Sequence, residues 1–204
     1  MIRIILIALL SVVSMVSAKA KNVGDMLVSM PDSLLPYVAT EQLVDLVNMK
    51  RIDPATPASL QSVFKTDIVL ETLSDDMLKL QMSNVCYEIG RLPMENDSVF
   101  CVLRTIPTPE QETNVIYVNK EWEKIGEQTF GDINLVSKPD TMDSKEYDRL
   151  LSLVEYPIIE AHFYKSPSEI MIKQHVQMLD KADKEKFLPL LMQRKLKWNG
   201  ESYK

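Results

Sequence analysis

Between Asp67 and Asn119 the apolar residues of this chain recur at every second position, in short runs separated by short connections. That pattern constrains the fold more than any other feature. A period of two puts alternate side chains on opposite faces of a strand, and parallel pairing needs crossovers of a dozen or more residues that this stretch does not contain. An antiparallel meander follows. Ile68, Val69 and Leu70 form a β-branched run, and Ser74-Asp75-Asp76 supplies turn chemistry. Leu78, Leu80 and Met82 alternate with Lys79, Gln81 and Ser83, so one face is buried and the other wet. Val85, Tyr87 and Ile89 continue on the opposite parity, which requires a turn or bulge near Ser83-Asn84. Val99 to Ile106 and Asn114 to Asn119 add two further strands.

Helical spacing frames this sheet on both sides. Val23, Met26, Leu27 and Met30 share a helical face that stops at Pro31; a second helix begins with Thr40 as its cap, Glu41 in its first turn, and Leu43, Leu46 and Val47 as its stripe. Pro54 and Pro57 mark a connector. Farther on, Asp143 or Ser144 caps a helix reaching Glu155, with Tyr147, Leu150, Leu151 and Val154 on one face and Pro157 beyond its end. Ile158 to Tyr164 and Ile170 to Met178 read as a hairpin turning at Ser166-Pro167-Ser168-Glu169. Asp180 to Met192 is helical around Phe187, Leu188 and Leu191, although Pro189 removes a hydrogen bond and kinks or ends it. Arg194 to Trp198 forms a last strand, followed by an Asn199-Gly200 turn.

The expected architecture is α+β: an antiparallel sheet of meander strands flanked by helices. Within residues 21–204, read as one domain, 21–59 are helical, 64–136 hold the sheet, and 140–204 supply helix, hairpin and helix. At an offset of 92 residues, Ser74, Leu78 and Leu80 fall on Ser166, Ile170 and Ile172, raising the option of two similar hairpin-based halves.

The first 20 residues read as a secretory signal peptide. Arg3 gives a positive start, Ile4 to Val16 are apolar apart from Ser11 and Ser14, and Val16-Ser17-Ala18 or Ala18-Lys19-Ala20 offers a cleavage site. The apolar run of 13 residues is short for a membrane helix, which needs about 20. The expected mature chain is exported, periplasmic or extracellular, with no stable membrane insertion after cleavage. No cysteine sits at either cleavage site to carry a lipid.

Charge narrows the partners. The chain has 23 Lys and Arg against 29 Asp and Glu, a net charge of -6, whereas polyanion binding draws on a basic patch that releases counterions. Nucleic acid is excluded as an expected partner. Arg194-Lys195-Leu196-Lys197 is the one dense basic stretch and reads as a solvated strand edge. Cys86 and Cys101 could form one disulfide in an oxidising compartment. If Leu92 lies opposite Val99, however, Cys86 meets Thr105 and Cys101 meets Gly90; only a tight turn at Pro93-Met94 makes the cysteines partners. The alternative is two buried thiols acting as small hydrophobes.

A catalytic inventory is thin. His162 and His175 are the only histidines; they fall on one sheet face if the hairpin forms, and otherwise read as partly exposed strand residues. No nucleophile elbow occurs, and five glycines leave no phosphate-cradling loop. Glu110, Glu112, Glu121 and Glu123 could act in pairs on a glycan but read as a solvated loop. Asp140, Asp143 and Asp148 lack calcium-loop spacing. The twelve methionines read as core filler. Tyr117, Trp122 and Trp198 could form an exposed aromatic platform, or serve as core. No cofactor or metal is expected.

Asp76-Met77-Leu78-Lys79-Leu80-Gln81, Leu92-Pro93, Val102-Leu103-Arg104-Thr105, Tyr117 and Glu121-Trp122 carry a family resemblance, together with Met30-Pro31-Asp32-Ser33-Leu34-Leu35-Pro36-Tyr37 and Leu196-Lys197-Trp198-Asn199-Gly200. The sequence resembles an exported Bacteroidales family known only as a domain of unknown function. The resemblance covers most of the mature chain, implies an exported, periplasmic single domain, and brings no catalytic residues. The expected function is a non-enzymatic binding or interaction domain for an unknown protein, peptide or glycan of the cell envelope. The alternative is an envelope hydrolase using His162 or His175 with an acidic partner.

Overall fold

The computed structural model describes residues 21–94, 98–107, 110–154, 156–176 and 179–204. The signal-peptide reading of residues 1–20 lies outside them, as do Thr108, Pro109, and the predicted element ends at Glu155 and Met178.

Two short helices open the fold, α1 (Val23–Val28) and α2 (Thr40–Ile52). Asn22 caps α1 by accepting from the Asp25 N–H at 2.9 Å, and the Asp25 carboxylate accepts in return from the Asn22 N–H. Thr40 is the first helical residue of α2 rather than its cap. Ala39 holds that place, and the Gln42 side chain accepts from its N–H at 3.2 Å.

Seven strands then run in sequence order: β1 (Ala58–Gln61), β2 (Asp67–Leu73), β3 (Met77–Met82), β4 (Val85–Pro93), β5 (Ser98–Pro107), β6 (Gln111–Val118) and β7 (Lys124–Gln128). Every neighbouring pair is antiparallel. The sheet therefore starts at Ala58, earlier than residue 64, and β1 and β7 are strands that the alternation did not reveal. The parity change after Met82 comes from a two-residue turn. Met82 pairs with Val85, so cross-strand partners necessarily have opposite parity, and Ser83 takes a left-handed φ of 55°. One bulge places Glu71 between Leu70, opposite Leu80, and Thr72, opposite Lys79.

The remaining elements are α3 (Ser144–Ser152), β8 (Ile158–Phe163), β9 (Glu169–His175), α4 (Lys181–Phe187) and β10 (Gln193–Lys197), with a 3₁₀ turn at Leu188–Leu190. Asp143 caps α3 by accepting from the Lys145 N–H. The helix ends at Ser152, short of the predicted Glu155. Pro189 sits within the 3₁₀ turn, so the helix ahead of it stops at Phe187. Strands β10, β9 and β8 form a second, three-stranded antiparallel sheet. The two hairpins related by the 92-residue offset, β2–β3 and β8–β9, thus belong to sheets of seven and three strands.

The layers are helices, large sheet and small sheet. On one face of the large sheet Leu78, Leu80, Tyr87, Ile89, Phe100 and Val102 pack against Met26, Leu27, Leu46 and Val47 of α1 and α2. Each such fully buried aliphatic side chain contributes about 1.5–3 kcal/mol. On the other face Leu92, Val99, Cys101, Leu103 and Val115 meet Ala161, Phe163, Ile170 and Ile172 of the small sheet. Gly90 permits the contact: a Cβ there would stand 2.6 Å from Pro167 Cβ and 2.7 Å from Phe163 Cζ. A third cluster, around Leu150, Val176, Phe187 and Leu190, joins α3 and α4 to the end of the small sheet.

Candidate functional site

Polar side chains gather where the edge of the small sheet meets the large one. Strand β8 approaches with its free edge, whose backbone groups are met by side chains of the large sheet. Thr113 Oγ1 accepts from the Ala161 N–H at 2.9 Å and donates to the Ala161 carbonyl at 3.3 Å. The Glu88 carboxylate accepts from the Phe163 N–H at 2.8 Å. These contacts satisfy groups that would otherwise be orphaned at a buried edge. Beside them opens a cleft of about 390 Å³, lined by Lys79, Gln81, Cys86, Glu88, Thr105 and Gln111 of the large sheet and by Glu160 and His162 of β8.

Register explains the convergence. Lys79 pairs with Glu88, Gln81 with Cys86, and Thr105 with Thr113, so all six side chains share one face of the large sheet. On the small sheet, His162 pairs with Met171, Glu160 with Lys173, and Ile158 with His175. The two histidines and Glu160 therefore occupy one face, as the hairpin reading expected.

The charges are mostly paired. Lys79 Nζ lies 2.8 Å from Glu71 Oε2, and that hydrogen bond raises the Lys79 pKa. Burial works to raise the Glu160 carboxyl, but hydrogen bonds from Lys173 at 2.8 Å and His175 Nε2 at 2.7 Å hold it below the ordinary value. With its amide nitrogen turned inward, Gln111 donates to Glu160 Oε1 at 2.7 Å. His175 Nδ1 faces Glu110 at 3.6 Å, and Glu110 also meets Lys184 at 3.2 Å. Burial raises the Glu88 carboxyl and lowers the His162 imidazole. The Cys86 thiol is pushed up to about 12, again by burial.

The other sequence candidates lie elsewhere. Cys86 stands opposite Thr105 and Cys101 opposite Gly90, and both are free thiols, so the disulfide is corrected to two separate cysteines. The wide Leu92–Val99 pairing sets that register. The aromatic platform is also corrected. Tyr117, in the core between the sheets, meets the partly buried Trp198 in a tilted contact with ring centroids 5.2 Å apart, Trp198 meets Tyr203 at 5.5 Å, and its Nε1 donates to the Pro93 carbonyl. Trp122 packs against the helical core and donates from Nε1 to the Met26 carbonyl at 3.1 Å. Buried donors and apolar faces are satisfied together in this arrangement.

Glu110 and Glu112 lie at one end of β6 and Glu121 and Glu123 beyond the other, roughly 20 Å away at about 3.3 Å per strand residue, so the four glutamates do not converge on one site. Asp143 is a helix cap. Among the described residues no three His, Cys, Asp or Glu side chains are grouped to hold a metal. The basic stretch Arg194 to Lys197 lies on the edge strand β10, where Lys195 and Lys197 pair with Glu169.

Lys79, Glu88, Gln111 and Glu160 were not singled out from sequence. One local signal was available: a turn at Ser83-Asn84 makes Lys79 and Glu88 direct cross-strand neighbours of opposite charge on the wet face.

Among solved structures the fold is similar to that of a domain of an uncharacterized protein from Porphyromonas gingivalis W83, with a TM-score of 0.68 and 19% identity over 87% of this chain and 95% of that one. At that identity the likeness concerns the fold alone. No curated protein matches. Residues 15–203 match the family described as protein of unknown function (DUF3256), nearly the whole sequence, and the chain belongs to that family.

Proposed function

We propose that this is an exported, non-enzymatic binding domain that holds a small polar ligand, a fragment of an envelope peptide, protein or glycan, in the cleft between its two sheets. The carrying observation is the cleft itself: about 390 Å³, within the usual ligand-site range, with charged and polar side chains from two sheets converging on it. Export rests on Arg3, the apolar run to Val16 and the small residues at Ala18 and Ala20. Among the described residues no helix is long and apolar enough to cross a membrane.

Binding is tested by amide chemical-shift mapping of residues 21–204, which contain every described element, against short peptides and monosaccharides. A hit that shifts the Glu88, Thr105 and His162 amides and disappears in a Thr105→Trp variant supports the reading. A hit that survives the blocking substitution refutes it. For export, mass spectrometry of the cell-derived protein should find an N-terminus after Ala18 or Ala20; an intact Met1 in the envelope fraction would contradict cleavage.

A hydrolase is the second reading, favoured by the 2.7 Å contact of His175 with Glu160. Two features count against it. Both His175 ring nitrogens face carboxylates, leaving neither free to take a substrate proton, and the Cys86 thiol, held up at about 12, is a poor nucleophile. Hydrolysis of envelope peptide or glycan by the purified chain, abolished in His175→Ala, would establish the second reading and remove the first.

A further inference from the structure

Within that binding reading, the pairing of charges around the cleft identifies what the ligand must bring. Lys79 is committed to Glu71, and Glu160 is committed to Lys173, His175 and Gln111. Glu88 differs from both. It makes one hydrogen bond, from the Phe163 N–H, and no ion pair among the described residues. Its cross-strand neighbour Lys79 directs its ammonium to Glu71 instead. A half-buried carboxylate with no ion pair is costly to charge, and an anion entering the cleft would meet Glu88 and Glu160 with the nearest lysine already paired to Glu71.

His162 lines the same cleft and makes no hydrogen bond among the described residues. Burial lowers its pKa and favours the neutral ring, which keeps one nitrogen as an acceptor. The cleft therefore offers two acceptors with spare capacity, the second oxygen of Glu88 and one ring nitrogen of His162.

We infer that the cleft selects a ligand carrying an ammonium or other cationic nitrogen, with Glu88 as its counter-ion and His162 as a second acceptor. Lys79 limits the affinity. Its charge opposes the ligand's, and its removal leaves Glu71 as a further carboxylate at the rim.

Three probes, cadaverine, glutarate and glucose, titrated into residues 21–204 and followed by amide chemical shifts, test the inference. Cadaverine is expected to shift the Glu88, His162 and Phe163 amides while glutarate leaves them in place. Glu88→Gln should weaken cadaverine roughly tenfold or more, the scale of a lost charge-assisted hydrogen bond, while Lys79→Gln, on a part-exposed side chain, should tighten it several-fold. The Lys79 variant keeps the test decisive should Glu88→Gln fail to fold. Glutarate or glucose shifting these amides with cadaverine silent would overturn the cation inference and leave cleft binding standing. Silence from all three probes would overturn both, and a cadaverine affinity unchanged in both variants would overturn the role of Glu88.

Discussion

Gly90→Ala should loosen the junction of the two sheets, and its cost can be worked from the contacts. An added Cβ would lie 2.6 Å from Pro167 Cβ, 2.7 Å from Phe163 Cζ and 2.9 Å from Phe163 Cε2. Carbon contacts relax at about 3.5–4.0 Å, so the small sheet must retreat by about 1 Å. Neither neighbour can move alone. Pro167 belongs to the β8–β9 turn, and Phe163 is buried in the core between the sheets. Overpacking of this kind costs about 1–3 kcal/mol, while the narrower unfolded ensemble of alanine returns about 0.4–1 kcal/mol. The expected net loss is about 1–2 kcal/mol. Urea unfolding followed by tryptophan fluorescence measures it, because Trp198 sits in the same core. Gly131→Ala serves as the control, since nothing lies within 4 Å of its added Cβ, and should stay within about 0.5 kcal/mol of the parent. Phe163→Ala should also cost less in the Gly90→Ala background than alone, with a coupling above about 1 kcal/mol. A Gly90→Ala protein as stable as the parent, or additive losses in the double variant, would refute the close-approach argument.

Four other perturbations have defined outcomes. Ser83→Gly should stabilise by about 1 kcal/mol in the same assay, because Ser83 holds a φ of 55° at the first position of a two-residue hairpin turn. Thr113→Val keeps the side-chain shape but strips both hydrogen bonds from Ala161; it should cost about 1–3 kcal/mol and speed hydrogen exchange of the Ala161 amide. Glu88 binds its proton more tightly folded than unfolded, so its contribution to stability falls as pH rises from the ordinary carboxylate value through its raised folded value. Glu88→Gln should therefore gain on the parent as pH rises from about 4.5 to 8, and a pH-independent difference would contradict the raised value. Cys86 and Cys101, both pushed up to about 12, should alkylate at pH 8 roughly a hundredfold or more slowly than a free cysteine, and dithiothreitol should leave the unfolding midpoint in place.

How far the sequence could be read follows from which forces are local. Alternation in Leu78, Leu80, Tyr87 and Ile89, with turns at Ser74-Asp75-Asp76 and Ser83-Asn84, specified the β2–β3–β4 meander, because a strand's period and a tight turn involve only neighbours in the chain. The β8–β9 hairpin was legible for the same reason, and with it the shared face of His162 and His175. Strands β1 and β7 were not. They are short edge strands, and in β7 the residues run from half-buried to exposed with none buried, so no apolar alternation marks it.

The chain order alone thus determined the antiparallel meander, its helical flanks and the acidic charge. Tertiary structure decided how much of the large sheet the small one covers. That depended on Gly90 admitting Pro167 and Phe163, and on Thr113 and Glu88 capping the free edge of β8. These partners are far apart in sequence and carry no periodic signal, since each contact is fixed by the shapes of two finished surfaces. The cleft exists because the small sheet stops short of Lys79 and Cys86. Only after that docking does Glu88 stand half-buried beside a cavity, with no ion pair among the described residues.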